Sequence, residues 1–575
     1  MDLNFGTFVF TAIPNAGDFR GNFIKIGRDR LNEDGVPLQF KQYASDAYAT
    51  KTARFSDVPG YIAAYPLSDD AIDSFSSGLI ANVVIPAQGS TLGHNESFLR
   101  YWHELDGSKL AGWRTCLKGG AFRKWYGNVD YVVDWRNNGK VLKSFERAYL
   151  RNIDKMERDG IDWSRVTSNY LGFRSFDGGS FIESGGGFIY IDGRHNKSNL
   201  LGFLNSHVAR EYLGAMVPTL NCQTGDLIKL PYIDVDVSSE VDVCVALARE
   251  EWHEFETATG FESILVGGDA VSNSVLGILN KSDERIRRMH AMETAINTKI
   301  ANKYRLDIDK NTPVLLEEIT LRRQSVESCV SIIVSYSIGC MMGRYSLDEP
   351  GLIYANSGNV GFDPSRYATF PADDDGIVPI MQTDWFDDDA TNRVVEFFKV
   401  AWTPETLTEN LKFVADSLGA KSGETPIDTI RRYLSSDFFK DHLKTYKRRP
   451  IYWLFSSGKE KAFEALVYLH RYNEGTLSRM RMECVTPLQG RIASRIDQLG
   501  RDIDAAASTA AQNKLRKEQE KLKKQQAELV KYDEELRHYA DMRIKLDLDD
   551  GVKVNYGKFG NLLAEVKAIT GGSDE

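Results

Sequence analysis

Lys118-Gly119-Gly120-Ala121-Phe122-Arg123-Lys124-Trp125-Tyr126-Gly127-Asn128-Val129-Asp130-Tyr131-Val132-Val133-Asp134-Trp135 is the stretch on which the reading of this 575-residue chain turns. Tyr131 to Asp134 has the aromatic and β-branched composition of a strand, and Asn137-Asn138-Gly139 after it signals a turn. The basic residues here are therefore expected on strands and loops. Arg123 to Asn128 sets two cations, two aromatic rings and an amide side by side. Lys and Arg neutralise phosphates, Arg and Asn can read purine edges, and aromatic rings stack on unpaired bases. The bias extends outward: from Lys109 to Arg151 ten Lys/Arg face three acids, with Trp113, Trp125, Tyr126, Tyr131 and Trp135 interleaved. Composition alone leaves a β-rich core with solvated cations equally open.

The whole chain is acidic, with a formal net charge of −10, which taken as an average counts against a nucleic-acid partner. The average conceals two acidic windows, Asp226 to Asp269 and Tyr345 to Asn392, each with a net charge of −9. With 42 % hydrophobic and 26 % charged residues the chain has the composition of ordinary globular proteins, and whole-chain disorder is excluded. No apolar run approaches a membrane span, and Met1-Asp2-Leu3-Asn4 lacks the features of a secretory signal, so a cytoplasmic location without a membrane partner is expected. Six scattered cysteines read as reduced, buried thiols.

Residues 1–85 mix short apolar runs with Gly, Pro and Asp; Phe8-Val9-Phe10 looks like a strand, and Gly60 to Pro66 like a loop into a short capped helix. A helix is expected over Lys197 to Met216, ended by Pro218, and another around Glu240 to Glu256. Helices follow at Ala390 to Val400, Thr406 to Ser417, Pro426 to Leu434 and Lys459 to Tyr472. From Pro487 to Lys545 leucines at 515, 522, 529 and 536 repeat every seven residues without an internal proline. This pattern predicts one uninterrupted helical arm of roughly 80 Å at 1.5 Å per residue.

Catalytic signatures are scarce. Gly185-Gly186-Gly187 opens no GxGxxG or P-loop pattern and is read as a turn. His195 has no second ligand beside it and is read as a surface-loop residue. Asp549, Asp550 and Lys553 match a metal-dependent nuclease pattern only loosely, and surface charge is favoured there. Asp373-Asp374-Asp375 and Asp387-Asp388-Asp389 lack the alternating spacing of a calcium loop. No metal site is expected.

Longer motifs carry a family resemblance. Val84 to Glu104 (VIPAQGSTLGHNESFLRYWHE), the Lys118 to Trp135 stretch, Pro218 to Pro231 (PTLNCQTGDLIKLP), Glu250 to Thr257 (EEWHEFET), Arg448 to Ser457 (RRPIYWLFSS) and Tyr556 to Phe559 together resemble the PglX family, the adenine-specific DNA methyltransferases of BREX phage-defence systems. The likeness runs from about residue 60 onward. It implies a DNA target-recognition region here and, upstream, a Rossmann-like catalytic domain with an S-adenosylmethionine loop and an Asn-Pro-Pro-Tyr tetrapeptide that holds the flipped adenine. None of the sixteen prolines is adjacent to another, so that tetrapeptide is absent from this sequence.

The resulting expectation is an α+β protein. Residues 1–84 would be the end of a methyltransferase-like core and linker, 85–265 a mixed α/β DNA target-recognition domain, 266–486 a helical domain, 487–546 the arm and 547–575 a tail. Arg114, Lys118, Arg123, Lys124, Trp125 and Tyr126 are the candidate DNA contacts, and Asn128, Asn169 and Arg174 the candidate base readers. Asn221, Gln223 and Gly225 fix the chain's return at the end of the recognition domain. No catalytic, cofactor or metal residue is assigned; S-adenosylmethionine would belong to the intact enzyme. Expected partners are double-stranded DNA, the missing methyltransferase half and other BREX components. The arm would clamp DNA or bind those components. The alternative is a non-enzymatic assembly or regulatory protein that docks through its acidic surfaces and arm, and an independent nuclease is a third reading without a visible metal site.

Overall fold

The computed structural model describes residues 19–24, 48–166, 170–217, 221–264 and 266–571. The Phe8-Val9-Phe10 strand and Asn169 lie outside the described residues. The chain is α+β: beyond a two-stranded pair, Arg20–Phe23 with Tyr48–Lys51, three mostly antiparallel sheets are set among helices. In the first of the three Gly186–Ile191 lies between Val84–Pro86 and Gly160–Ser164, and Phe173–Phe176 closes the far edge. The glycine run is therefore more than a turn. Gly187 sits in a strand opposite Trp163, and a Cβ on it would lie 2.2 Å from the indole. The second sheet pairs Tyr131–Asp134 with Leu99–Tyr101 on one side and Trp113–Leu117 on the other, with Phe181–Ile182 parallel beyond.

The core that encloses the first sheet runs from Val58 through Trp125 and Trp163 to Leu321. The predicted helix over Lys197 to Met216 forms as two, Lys197–Asn205 and His207–Met216, because Ser206 ends the first and its hydroxyl caps the second at Ala209 N. A 34-residue helix, Val271–Tyr304, joins the two main cores: Val271 and Val275 pack into the C-terminal one, Met289 to Tyr304 into the one that encloses the first sheet.

In the C-terminal region the helices Ala390–Ala401, Leu407–Ser417 and Pro426–Tyr433 form as expected. Lys459 to Tyr472 does not form a helix: Glu464–Tyr468 is the central strand of the third sheet, between Ile377–Pro379 and Tyr452–Ser456. All five of its residues are buried, and a strand covered on both faces loses the alternation that would distinguish it from a helix.

The single arm is also corrected. The chain breaks at Ala506 to Ser508, where the Ser508 hydroxyl accepts from Ala511 N and starts a second helix, so Thr486–Ala505 and Thr509–Met542 form a hairpin. Arg495 pairs with Glu518 at 2.8 Å, and Gln519 Nε2 donates to Ile496 O. The leucine stripe is not a free seam: Leu522, Leu529 and Leu536 are buried in the C-terminal core, and Glu528 accepts from Ser457 Oγ and from Glu460 N and Ala462 N.

The segment that carries the second sheet and the C-terminal region meet around a fully buried guanidinium, Arg344, which donates to Tyr345 and Tyr468 hydroxyls at 3.1 Å. His103, His442, His470, Tyr446 and Tyr452 enclose it, and His470 Nε2 reaches across to Leu105 O. Burial, reinforced by the nearby guanidinium, pushes His442 and His470 down to about 3 and His103 well below the ordinary imidazole value.

This packing sets two expectations. Leu529→Ala should cost about 2–5 kcal/mol, the range for a buried leucine, seen as a lower midpoint in chemical denaturation; a projecting arm would show no loss. The junction histidines are neutral when folded and titrate near 6.5 when unfolded, so below that value the unfolded chain binds more protons. Stability is therefore complete above about pH 6.5 and falls toward pH 3, by at most ~1.4 kcal/mol per pH unit per histidine. His103→Phe, which keeps the ring against Tyr101 and Tyr446, should flatten the acid limb of a plot of thermal midpoint against pH.

Candidate nucleic-acid interface

Five of the nine candidate residues are built into the fold. Arg123, in the loop after Trp113–Leu117, donates through Nε to Tyr126 O at 2.6 Å and through Nη2 to Ala248 O, and it is ion-paired with buried Glu251. Lys124 is ion-paired with buried Glu293, whose other oxygen accepts from Trp125 Nε1 at 2.7 Å. Arg174 pairs with Asp162 at 2.6 Å, both inside the first sheet. Asn128, buried and with φ of 57°, donates from Nδ2 to Ala121 O and braces the loop. These side chains hold the domain together, because their charges and hydrogen bonds are met inside it.

The source of the opposing charge is the first acidic window and the helix that packs beside it. Helix Ser238–His253 supplies Glu251, and the long helix Val271–Tyr304 supplies Glu293. The same two elements are cross-tied by Arg285, whose guanidinium reaches Glu254 at 2.6 Å and Glu250 at 3.4 Å. The basic loop and the acidic helix are thus partners of one another.

The remaining candidates are nearer solvent. Arg114 is a third exposed, bonds Glu157 at 2.7 Å and lies 5.8 Å from the Trp135 ring centre. Lys118 stands over the Tyr131 ring, and Tyr126 is half-buried beneath the Arg249 guanidinium. Around them lies a ridge that the residue-by-residue reading missed. Asn137, Asn138 and Gly139 all take left-handed backbone (φ 51°, 58° and 67°), a conformation tolerated by Asn and Gly. This tight turn throws Lys140, Lys143 and, farther on, Arg147 and Arg151 onto the surface. Lys143 Nζ lies 5.3 Å from the Trp135 ring, on the indole that Arg114 also approaches. Exposed Tyr149 is pinned by backbone bonds to Thr91, and Arg151 covers its ring at 4.5 Å. Lys118, Lys140, Lys143, Arg147 and Arg151 form no ion pair among the described residues. The signal for the ridge was the Asn-Asn-Gly turn within the basic window.

The other singled-out motifs take structural places. His195 is in an exposed turn. Cys222 N donates to Arg165 O, Trp163 Nε1 donates to Cys222 O, and Gln223 begins a short helical turn, so 221–227 returns the chain onto the first sheet. Asp549 receives Arg136 at 2.6 Å and lies 3.6 Å from Lys109, which clips the C-terminal segment to the second sheet. All six cysteines are buried, and burial pushes the Cys222 thiol up to about 12. Among the described residues no cluster of His, Cys, Asp and Glu has the geometry to hold a metal, and no helix is long and apolar enough to cross a membrane. The triple-glycine run offers no cradle for S-adenosylmethionine: Trp163 fills the space beside Gly187, and Glu183 lies 2.8 Å from a Cβ at Gly185.

No family model matches the chain. Two curated relatives do. The adenine-specific methyltransferase BrxX of Escherichia coli O9:H4 (strain HS) is 40 % identical over 568 residues, which cover 91 % of this chain and 46 % of that protein. The adenine-specific methyltransferase PglX of Lacticaseibacillus casei (strain Zhang) is 34 % identical over 565 residues, with the same shares covered. The chain spans about half the length of the curated relatives it matches. Across 91 % of its length the chain is thus similar to the adenine-specific methyltransferases BrxX and PglX.

Proposed function

We propose that this chain holds and selects double-stranded DNA for an adenine-specific methyltransferase of the BREX type, with methyl transfer carried by the part of the enzyme that its relatives have and this chain does not span. The observation that carries the reading is the exposed ridge of Lys140, Lys143, Arg147 and Arg151. Its cations form no ion pair among the described residues and are interleaved with Trp135 and Tyr149. Cations of this kind release condensed counterions when they meet phosphates, which makes the affinity steeply salt-dependent. The adenine-specific methyltransferase activity named for both relatives supports DNA as the ligand. S-adenosylmethionine would supply the methyl group in the intact enzyme; Asn-Pro-Pro-Tyr does not occur in this sequence, and no step is assigned to its residues. The docking alternative loses support where its acids are spent internally, as Glu250, Glu251 and Glu254 are.

Within the recognition region the roles divide by burial. Lys118 and Arg114 approach the DNA side with the ridge, while Arg123, Lys124 and Arg174 shape the surface from beneath. The purified chain should bind duplex DNA with an affinity that falls steeply with salt. Reversing charge in Lys140→Glu/Lys143→Glu/Arg147→Glu should weaken binding to every sequence and reduce the salt slope by about one for each phosphate no longer neutralised; flat salt dependence would remove this function. Arg123→Glu should instead lower the unfolding midpoint, by about 3–5 kcal/mol in stability, because it leaves Glu251 buried without its partner. Labelled methyl transfer to DNA should be undetectable with this chain alone and should appear when the catalytic segment of the same enzyme is added.

A further inference from the structure

The helix Phe439–Thr445 of the C-terminal region ends in a loop that lies against the recognition sheet. A helix usually leaves through one left-handed residue, most often glycine. Here Lys447 and Arg448 take that conformation in succession, with φ of 51° and 58°, and Arg448 N returns to Leu443 O at 2.7 Å. Side chains with a Cβ adopt this backbone at a cost, and such residues persist where the surroundings over-determine them. The surroundings do so here. Tyr446, just before them, is fully buried against His103 and His442, and Pro450 just after is buried too. Lys447 Nζ bonds Asp130 at 2.6 Å.

The loop also completes a chain of contacts that crosses the junction. Lys447 Nζ lies 5.7 Å from the centre of the Tyr101 ring. Tyr101 and Tyr131 are neighbours across two strands, their hydroxyls 2.7 Å apart. Lys118 Nζ stands 5.9 Å from the Tyr131 ring. Cation, ring, ring and cation thus run from the recognition sheet onto the C-terminal loop. Lys444 and Arg448 are exposed beside it, and among the described residues neither they nor Lys118 form an ion pair.

From this geometry we infer that Lys444, in the last turn of that helix, and the Tyr446 to Arg449 loop after it form a second phosphate-binding element, which holds the backbone of the same DNA duplex where it leaves the second sheet. The inference rests on the function proposed above and extends it to a region outside the recognition domain. The left-handed pair and the Arg448 N to Leu443 O bond fix the backbone from which the exposed Arg448 side chain projects, so little main-chain freedom remains to be lost when a phosphate arrives. The Tyr101–Tyr131 pair provides the floor between the two basic banks.

The test is binding of a fluorescently labelled duplex by the 575-residue chain, read by anisotropy from low to moderate salt. Lys444→Glu/Arg448→Glu should weaken binding about 10-fold or more at low salt and lower the salt slope by about two. Arg448→Gly supplies the control for folding: glycine relieves the left-handed backbone, so the thermal midpoint should hold or rise while affinity drops about 3-fold. A loop without a phosphate role would leave affinity unchanged in both variants. If both bind as the parent does while the ridge variant is weakened, the inference falls and the proposed function stands. If the parent chain binds no duplex at all, the proposed function falls and this inference with it.

Discussion

Two carboxylates brought from far along the chain, Glu251 to Arg123 and Glu293 to Lys124, hold the Arg123 to Asn128 loop in place. Both pairs are nearly sealed from water, and a sealed ion pair tolerates no half measures: with either partner removed, the other charge is stranded in a poor dielectric. The loop can therefore keep its shape only if the helices Ser238–His253 and Val271–Tyr304 are docked. Trp125 then fills the core, Arg123 clasps Tyr126 O, and Lys140, Lys143, Arg147 and Arg151, beyond the second sheet, stand exposed to solvent. Charges that drew attention as ligand contacts serve as fasteners, and plainer lysines around a tight turn are left to meet the outside.

The same division runs through the C-terminal region. Its core is apolar and aromatic, yet it meets the segment that carries the second sheet across Arg344, three neutral histidines and several tyrosines. A polar junction depends on the fit of directed groups more than on area, so it fixes the relative placement of the two regions. The helical hairpin belongs to this scaffold. Its leucines at 522, 529 and 536 are spent on the C-terminal core, and its polar flank, together with Val530 and Met542, faces the solvent.

Local signals were legible where the deciding interactions were local. The strand Tyr131–Asp134, the Asn-Asn-Gly turn, the Ser68-capped helix and the helices near 390, 407 and 426 were all marked by neighbours in sequence. What escaped was decided at long range. Nothing near Arg123 announces Glu251, 128 residues away. Glu464 to Tyr468 reads as helix because burial on both of its faces removes its alternation. The hairpin bend rests on Ser508, a single cap among alanines that favour continuing the helix. The α+β class and the PglX likeness were visible in composition and long motifs, whereas the sorting of cations into buried and exposed required the fold.

The clip at Asp549 joins residues 413 positions apart, Arg136 being its partner, while Lys553 reaches Glu96 and Val552 N donates to Glu104. During synthesis the second sheet leaves the ribosome hundreds of residues before the segment that fastens it. The nascent second sheet must therefore wait with Glu104 and its neighbours uncovered, and the basic surface beside it acquires its final setting only after the segment around Asp549 has emerged. Completion of that surface is in that sense a late event in the life of the chain, timed by its own topology.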